Sequence, residues 1–303
     1  NVAVSLSNYG LDSYFVTKLP AHEIGQAAVN HLRRYGVKTE YIKRGGERVG
    51  IYFLEIGASQ RPSKVVYDRS HSAISQVTPG GFNWKEIFSG ATWFHFTGIT
   101  PALSDGAAAV TLEAVKAAKK CGVKVSADLN YRKKLWTPEK ANRVMSELMS
   151  YVDVAIGNEE DAEKVFGIKA ADSEITAGKL SEEGYRAVAK ELADRFNLEK
   201  VAITLRESLS ASDNNWSALL YDGKDFYRSR VYKIHIVDRV GGGDSFAAGL
   251  IYSLLKGETS RDAVEFAVAA SCLKHTIFGD FNLVTEEEVR NLAAGDASGR
   301  VQR

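Results

Sequence analysis

The sequence predicts an α/β fold, with a mostly parallel central sheet covered by helices on both faces and a small β-sheet lid beside it. From Ala91 onward, short apolar runs alternate with longer segments of helical period, which is typical of successive βαβ units. Before that alternation, two strand-like runs flank a Gly/Ser/Pro loop, and they do not both fit a parallel sheet. Together these observations predict a three-layer sandwich with an attached lid.

The composition limits the organisation and the partners. The 303 residues fit one large α/β domain with an appendage, or two domains, and we favour a single domain over residues 1–303. A net charge of +1, with basic residues interspersed among acids, argues against a nucleic-acid partner. Two cysteines and the lack of a long apolar run predict a cytoplasmic protein with no membrane partner.

The first part of the chain predicts a helix and then the lid. An apolar helical pattern runs from Val2 to Tyr9, and Gly10 is typical of the residue that follows a helix. Because no strand leads into this helix, we expect an N-terminal segment of the fold before it. The runs Val49–Ile56 and Lys64–Tyr67 predict a small antiparallel sheet at about residues 45–70, serving either as a lid or as an immobile edge hairpin.

The rest of the chain supplies the sheet and its helices. The predicted strands are Thr92–Thr97, Val123–Asp128, Val154–Ile156 and Val201–Thr204. The helices between them are Ser104–Lys120, Pro138–Tyr151 and Ser181–Phe196. An antiparallel pair follows at Ala218–Tyr221 and Asp225–Ser229, and the last helices are Asp244–Leu255, Ser260–Thr276 and Thr285–Ala293.

Three glycines, Gly241, Gly242 and Gly243, stand before Asp244 at a predicted helix start. Glycines let the backbone approach an anion, and the first N–H groups of a helix point at that anion. Asp244 would repel a phosphate there unless it accepts a proton from a hydroxyl that attacks phosphorus. From these four residues alone, a capped turn is an equally good interpretation.

Polar residues also follow three successive predicted strands, as Asp128–Arg132, Gly157–Asp161 and Leu205–Ser208. The carboxyl ends of parallel strands meet at one edge of a sheet, where ligands bind. Arg132 suits either a phosphoryl group or a carboxylate. Asn158 and Glu159 are candidates to hold Mg²⁺ through waters, although Asn158 alone is equally typical of a helix cap.

No Walker A pattern occurs, so phosphate binding rests on the Gly241–Asp244 loop. Around this loop the chain resembles the PfkB, or ribokinase-like, family of carbohydrate kinases over nearly its whole length. The family's Gly/Ala-Gly-Asp run and Asn-x-x-Glu element match Gly241–Asp244 and Asn158–Asp161, the latter with Asp at its last place. The resemblance implies a ribokinase-like fold, ATP and Mg²⁺ as cofactors, and a monovalent cation as a further candidate.

The resemblance also implies roles for individual residues. Asp244 would be the base, the Gly241, Gly242 and Gly243 amides the anion hole, and Arg132 a bridge between substrate and nucleotide. The residues implied to contact ATP are Asn130, Arg132, Asn158, Thr204, Arg206, Gly241 and Gly243.

Within the family, the chain is most similar to the 2-keto-3-deoxygluconate kinases. Tyr52, Tyr67, Arg69 and Asp280 fall where that subgroup contacts its sugar acid. The resemblance implies phosphorylation at the terminal C6 hydroxyl, giving 2-keto-3-deoxy-6-phosphogluconate. Arg69 and Arg132 offer two cations for the carboxylate that a neutral sugar lacks. Without the resemblance, Arg69 is typical of a solvated hairpin residue.

Three other functions remain open. A fructokinase of the same family would share the phosphate loop, although Tyr52, Arg69 and Arg132 argue against it. A dinucleotide-binding oxidoreductase would share the βαβ series but requires Gly-x-Gly-x-x-Gly after its first strand. A non-catalytic sugar-acid-binding protein is disfavoured by Asp244. We also expect a homo-oligomer through the apolar face of the lid.

Overall fold

The computed structural model describes residues 1–169 and 182–296, apart from the Glu159 side chain. The helices in these residues are α1 (Val2–Asn8), α2 (Glu23–Arg34), α3 (Trp84–Ile87), α4 (Ile99–Ala102), α5 (Asp105–Lys120), α6 (Pro138–Met149), α7 (Glu159–Phe166), α8 (Glu182–Phe196), α9 (Gly242–Leu255), α10 (Ser260–Lys274) and α11 (Glu286–Ala294). The strands are β1 (Thr17–Leu19), β2 (Ile42–Arg44), β3 (Ile51–Glu55), β4 (Lys64–Asp68), β5 (Trp93–Thr97), β6 (Lys124–Asp128), β7 (Val154–Gly157), β8 (Lys200–Ser208), β9 (Asp213–Tyr221), β10 (Phe226–Arg228) and β11 (Tyr232–His235).

The central sheet has the order β10-β9-β8-β7-β6-β5, and β11 also pairs with β9. Strands β5 to β8 are mutually parallel, whereas β9 runs antiparallel to β8. The mostly parallel sheet predicted from the sequence is therefore confirmed. Its parallel strands bring their carboxyl ends to one edge, where Thr97 lies beside Asp128 in register.

Two apolar cores cover the two faces of this sheet. Ala155 packs into the core formed with α5, α6 and α8, whereas its neighbours Val154 and Ile156 pack into the core formed with α9 and α10. Alternate residues of a strand point to opposite faces, so burial of all three requires helices on both sides. This is the three-layer arrangement that the sequence predicts.

Local sequence explains where the helices of the first core begin. The Ser104 side chain accepts a hydrogen bond from the Ala107 N–H at the start of α5. Thr137 accepts from the Lys140 N–H at the start of α6, where Pro138 occupies the first turn. Both are side-chain caps that satisfy N–H groups the helix itself leaves free. The described α8 begins at Glu182; the predicted start at Ser181 lies outside the described residues.

The structure extends two of the predicted strands toward the turn that joins them. The prediction ended the fourth parallel strand at Thr204, but β8 continues to Ser208 because β9 pairs with it from Val201 to Ser208. For the same reason β9 begins at Asp213 and not at the predicted Ala218. Arg206 is therefore an exposed strand residue opposite Trp216, not a loop residue after the strand. Sequence analysis also did not predict the helix α2 or the strands β1, β2 and β11; strands of three or four residues are too short to show a period.

The lid is a separate two-stranded antiparallel sheet formed by β3 and β4, as predicted. Tyr52 and Tyr67 lie opposite each other on one face, which turns toward the body of the protein. The tip of the lid contacts the turn between β8 and β9: the Ala211 N–H donates to the Ser59 carbonyl at 2.8 Å, and the Ser59 N–H donates to the Ser212 hydroxyl at 3.0 Å. The lid thus rests on the sheet that it covers.

Within the described residues, no helix combines the length and the apolar character needed to cross a membrane.

Candidate active site

The glycine run forms the start of α9. Gly241 is the N-cap, with a left-handed backbone at φ 79°. A Cβ at this position would lie 2.0 Å from the Asp280 carbonyl oxygen, so a side chain there is excluded both by conformation and by space. Gly241 is therefore required for the close contact between the α9 start and the loop that carries Asp280.

Gly242 is restricted by a different neighbour. A Cβ there would lie 2.5 Å from His275 Cε1 and 2.8 Å from its Nε2. The buried Ser271 hydroxyl donates to the Gly242 carbonyl at 2.7 Å and fixes the backbone from below. The Gly242 N–H donates to the Arg239 carbonyl at 3.3 Å, which leaves the Gly243 and Asp244 amides in the first helical turn, where N–H groups have no intrahelical acceptor.

Asp244 follows in the first turn of α9 and is half-buried. Its Oδ2 accepts a hydrogen bond from Asn1 Nδ2 at 2.7 Å. The pKa of Asp128 at the end of β6 is raised well above its usual value, by burial first and then by the charges of Asp161 and Asp244. Three carboxylates from β6, α7 and α9 therefore share one electrostatic environment at the carboxyl edge of the sheet.

Asn158 caps α7 in a reciprocal arrangement. Its Oδ1 accepts the Asp161 N–H at 2.8 Å, and Asp161 Oδ2 accepts the Asn158 N–H at 3.4 Å. The other oxygen of Asp161 accepts the Tyr131 N–H at 2.9 Å. The predicted alternative, Asn158 as a helix cap, thus describes its contacts in the protein. The Glu159 side chain, the other predicted metal ligand, lies outside the described part of the structure.

The lid contributes three of the predicted substrate residues. Tyr52 donates its hydroxyl to Asp280 Oδ1 at 2.5 Å, and burial, followed by this bond, raises the pKa of the phenol. The Arg69 guanidinium lies over the Tyr67 ring, with Cζ 3.8 Å from the centroid. Tyr52, Tyr67, Arg69 and Asp280 therefore form one cluster, although Asp280 is more than 200 residues from the lid in sequence.

Arg132 lies close enough to Arg69 for its positive charge to act on the Arg69 guanidinium. Burial lowers the pKa of Arg69, and the positive charge of Arg132 lowers it further. Arg132 Nη1 donates to the Tyr131 carbonyl at 3.0 Å. Within residues 1–169 and 182–296, neither guanidinium forms an ion pair with a carboxylate. Guanidiniums without a carboxylate partner are typical of positions that receive an anion.

The remaining predicted nucleotide residues spread along the same edge. Asn130 adopts a left-handed backbone at φ 42° and donates its amide to Thr97 Oγ1 at 3.0 Å. The Thr204 hydroxyl donates to the Gly157 carbonyl at 3.4 Å. Arg206 lies close enough to Arg239 that its charge, after burial, lowers the Arg239 pKa. These residues lie on or directly after the strands β5 to β8, at the edge of the sheet described above.

Sequence reasoning missed several charged or polar groups beneath the site. Lys274 and His275 end α10 directly behind the glycine run, and both are buried. His95 on β5 contacts Ser126 Oγ at 2.8 Å, and burial lowers its pKa to about 4. Asp238 is buried as well. The one sequence indication was a lysine within the otherwise apolar end of α10, where a charge needs partners.

Comparison with known proteins identifies the family. A model of the pfkB family of carbohydrate kinases matches residues 1–284. The chain belongs to this family. As a member, it is a carbohydrate kinase, and both its ribokinase-like fold and its kinase class agree with the sequence-based interpretation.

Three relatives of this kinase cover most of its length. It is 33% identical over 298 residues to a 2-dehydro-3-deoxygalactonokinase of Haloferax volcanii, covering 98% of this chain and 87% of the relative. It is 29% identical over 285 residues to a 2-dehydro-3-deoxygluconokinase of Thermoproteus tenax, with coverages of 92% and 79%. The crystal structure of a 2-dehydro-3-deoxygluconokinase from Thermotoga maritima superposes with a TM-score of 0.93 and 55% identity, over 97% of this chain and 89% of that one.

Proposed function

We propose that this kinase transfers the γ-phosphoryl group of ATP to the C6 hydroxyl of 2-keto-3-deoxygluconate, which is also called 2-dehydro-3-deoxygluconate. The product is 2-keto-3-deoxy-6-phosphogluconate. The names of the similar proteins from Thermotoga maritima and Thermoproteus tenax support this substrate. ATP also favours a cytoplasmic location, because the nucleotide is supplied there.

The pairing of Arg69 with Arg132 carries the proposal. Both guanidiniums are partly buried, and holding two positive charges near each other there costs free energy unless an anion binds between them. A 2-keto-3-deoxy acid brings a carboxylate to that position, whereas a neutral sugar leaves the two cations unmatched. The lid places Tyr52 and Tyr67 beside them, and we assign these two and Asp280 to the hydroxyl and keto groups of the substrate.

The reaction step follows from the position of Asp244. The C6 oxygen attacks the γ-phosphorus, the bond from phosphorus to the ADP oxygen breaks, and the hydroxyl proton passes to Asp244. The Gly243 and Asp244 amides in the first turn of α9, with Gly241 and Gly242 shaping the approach, receive the negative charge of the transferring group. We assign Arg132 to bridge the two substrates.

The edge of the sheet also fits the nucleotide and its magnesium ion. When bound, Mg²⁺ neutralises phosphate charge. Asp128 and Asp161 are both buried at this edge and lie close enough for their charges to interact, and their carboxylate oxygens are of the donor type that would hold a hydrated Mg²⁺. Asn158 contributes through a water, with its amide oxygen already capping α7. We assign Asn130, Thr204 and Arg206 to ATP contacts.

An ADP-release assay across substrates tests the proposed specificity. The substrates are 2-keto-3-deoxygluconate, its C4 epimer 2-keto-3-deoxygalactonate, and fructose as a neutral sugar. Activity on the 2-keto-3-deoxy acids alone supports the proposal, whereas equal kcat/KM for fructose contradicts it. Preference for the C4 epimer instead assigns this kinase the activity named for its Haloferax volcanii relative.

Two variants test the residue roles in the same assay. Arg69→Ala should raise KM for the sugar acid by about 10- to 100-fold, since it removes hydrogen bonds to a charged group. Lys134→Ala, which removes an exposed cation 6.0 Å from the Tyr67 ring, is the matched control and should change KM little. Asp244→Asn should remove most turnover while ATP binding persists; wild-type turnover in that variant contradicts the base assignment.

The outer face of the lid carries exposed apolar side chains, as an interface with a second copy of the chain would. Ile51, Phe53 and Val66 lie on the face opposite Tyr52 and are 47, 61 and 63% exposed. A two-stranded sheet is marginally stable by itself. We therefore propose that two copies associate through this apolar face.

Light scattering coupled to gel filtration tests the association. The wild type should elute as a dimer, and Phe53→Glu should shift it to a monomer. Leu209→Glu alters an exposed apolar residue outside the lid and should leave the dimer intact. A monomeric wild type, or a dimer that persists in Phe53→Glu, contradicts the proposal.

A further inference from the structure

Lys274 is a fully buried lysine directly behind the phosphate loop. It is the last residue of α10, and its side chain is 0% exposed. Lysine is almost never fully buried without partners. Its Nζ donates to the carbonyl oxygens of Ile277 at 3.0 Å and Asp238 at 3.4 Å. In the part of the chain that the structure describes, it forms no ion pair with a carboxylate, so main-chain oxygens solvate the ammonium.

Those carbonyls belong to the two loops that build the site. Asp238 precedes the glycine run, and Ile277 precedes Asp280. The Asp238 carboxylate joins the same loops, because it accepts the Val240 N–H and the Gly279 N–H, both at 3.0 Å. The ammonium and this carboxylate therefore fasten the loop of the proposed anion hole to the loop of the proposed substrate contact.

The distance from Lys274 to the start of α9 is short. A Cβ built on Gly241 would lie 3.4 Å from Lys274 Cε. Burial lowers the Lys274 pKa, and the carboxylates of Asp238, Asp280 and Asp244 oppose that effect. A positive charge in this position adds to the positive end of the α9 dipole, which faces the transferring phosphoryl group.

An ammonium held by backbone carbonyl oxygens has the surroundings of a bound monovalent cation, since K⁺ is also coordinated by such oxygens. We propose that Lys274 is a tethered monovalent cation: a positioning residue that orders the anion-hole loop for phosphoryl transfer and makes turnover independent of added K⁺. The inference rests on the proposed kinase reaction and deepens it. Because Lys274 is fully buried and its ammonium contacts main-chain carbonyls, we expect its removal to lower kcat rather than raise KM.

The first experiment uses the wild type alone. Its kcat is measured at constant ionic strength in KCl, NH₄Cl, NaCl and tetramethylammonium chloride, the last being too large for a carbonyl cage. The proposal expects equal kcat in all four. A kcat that rises several-fold in KCl over tetramethylammonium shows a separate cation site and overturns it.

The second experiment removes the Lys274 ammonium by substitution. Lys274→Ala removes the ammonium and leaves space, whereas Lys274→Met removes the charge but fills the space. Lys274→Ala should lose about 10- to 100-fold in kcat with little change in KM, and NH₄⁺ or K⁺ should restore part of it. Lys274→Met should lose kcat without rescue. Lys256→Ala, which removes an exposed lysine at the end of α9, controls for lost charge.

Thermal denaturation separates this proposal from the proposed substrate. NH₄⁺ or K⁺ should raise the melting temperature of Lys274→Ala over that in tetramethylammonium, and should not do so for Lys274→Met or the wild type. This readout holds whichever sugar is phosphorylated. Failure of every monovalent cation to stabilise or reactivate Lys274→Ala assigns Lys274 a purely structural role and overturns the proposal.

Discussion

The contact between Gly242 and His275 gives a prediction whose size follows from the structure. Adding one methyl group in Gly242→Ala places Cβ 2.5 Å from His275 Cε1, whereas ordinary contacts begin at 3.4 Å. The ring must therefore retreat by about 0.9 Å, as in other overpacked cores. His275 resists this movement, because Nδ1 contacts the Ser271 carbonyl at 2.6 Å and the ring packs on Trp216 at 5.3 Å.

Overpacking of this kind costs about 1–3 kcal/mol. Gly243→Ala is the matched control, because a Cβ there would have no atom within 4 Å while the change in helix propensity is the same. Urea denaturation should therefore show Gly242→Ala less stable than Gly243→Ala by about 1–3 kcal/mol. In a His275→Ala background, where the ring is absent, the difference should disappear.

Two outcomes would refute this reasoning. Equal stability of Gly242→Ala and Gly243→Ala would show that the imidazole moves freely. A difference that persists in the His275→Ala background would show that the methyl group meets another part of the protein. The double-mutant cycle isolates the contact because the two residues touch directly.

Other expected outcomes concern the pH dependence of stability, the lid and the cysteines. Burial raises the pKa of Asp161 from 3.8 to about 6. The contribution of this carboxyl to the stability of the fold is therefore fully present below pH 3.8 and is lost as the pH rises through about 6. The Asp161 carboxyl should account for a loss of about 3 kcal/mol in the free energy of unfolding across this window, and Asp161→Asn should lower the pH dependence measured by urea denaturation by that amount; an unchanged slope contradicts the assignment. Tyr52→Phe removes the hydrogen bond to Asp280 and should raise KM for the sugar acid by about 3- to 10-fold in the ADP-release assay, while an unchanged KM would place the substrate elsewhere. In the native protein a disulfide reagent should modify exposed Cys121 and spare Cys272, whose thiol pKa burial raises to about 12; rapid reaction of two thiols contradicts this, and both should react in urea.

The parts of the fold that sequence predicted well are those with a long, regular pattern. The strands β5, β6 and β7 are the apolar runs of the βαβ series and the helices α5 and α6 show several periods each, so their type and position agree with the structure. The lid was predicted because two β-rich runs interrupt that pattern. In contrast, β1 and β2 have three residues each, and β8 continues past its apolar run only because β9 pairs with it.

The site divides in the same way. The sequence singles out Asp244 and its glycines because the residue types and their order point to one chemistry, and their role stays a prediction. His275 packs against Gly242, and Lys274 contacts the Asp238 carbonyl, across more than 30 positions of the sequence. A local sequence pattern carries no information about contacts at that separation. Asn158 shows the reverse case, since the sequence allowed a cap or a metal ligand and the structure shows the cap.

The turn between β8 and β9 contacts both halves of the site. The Ala211 N–H donates to Ser59 at the lid tip, and the Ala211 carbonyl accepts a hydrogen bond from Arg239 Nη2 at 2.9 Å, two residues before Gly241. We therefore expect that closing of the lid on one ligand would also order the loop before α9, where we propose that the other ligand binds. By thermodynamic reciprocity, the factor by which sugar acid tightens nucleotide binding equals the factor by which nucleotide tightens sugar-acid binding. The order in which the two substrates arrive then alters the rates of closure but not its equilibrium.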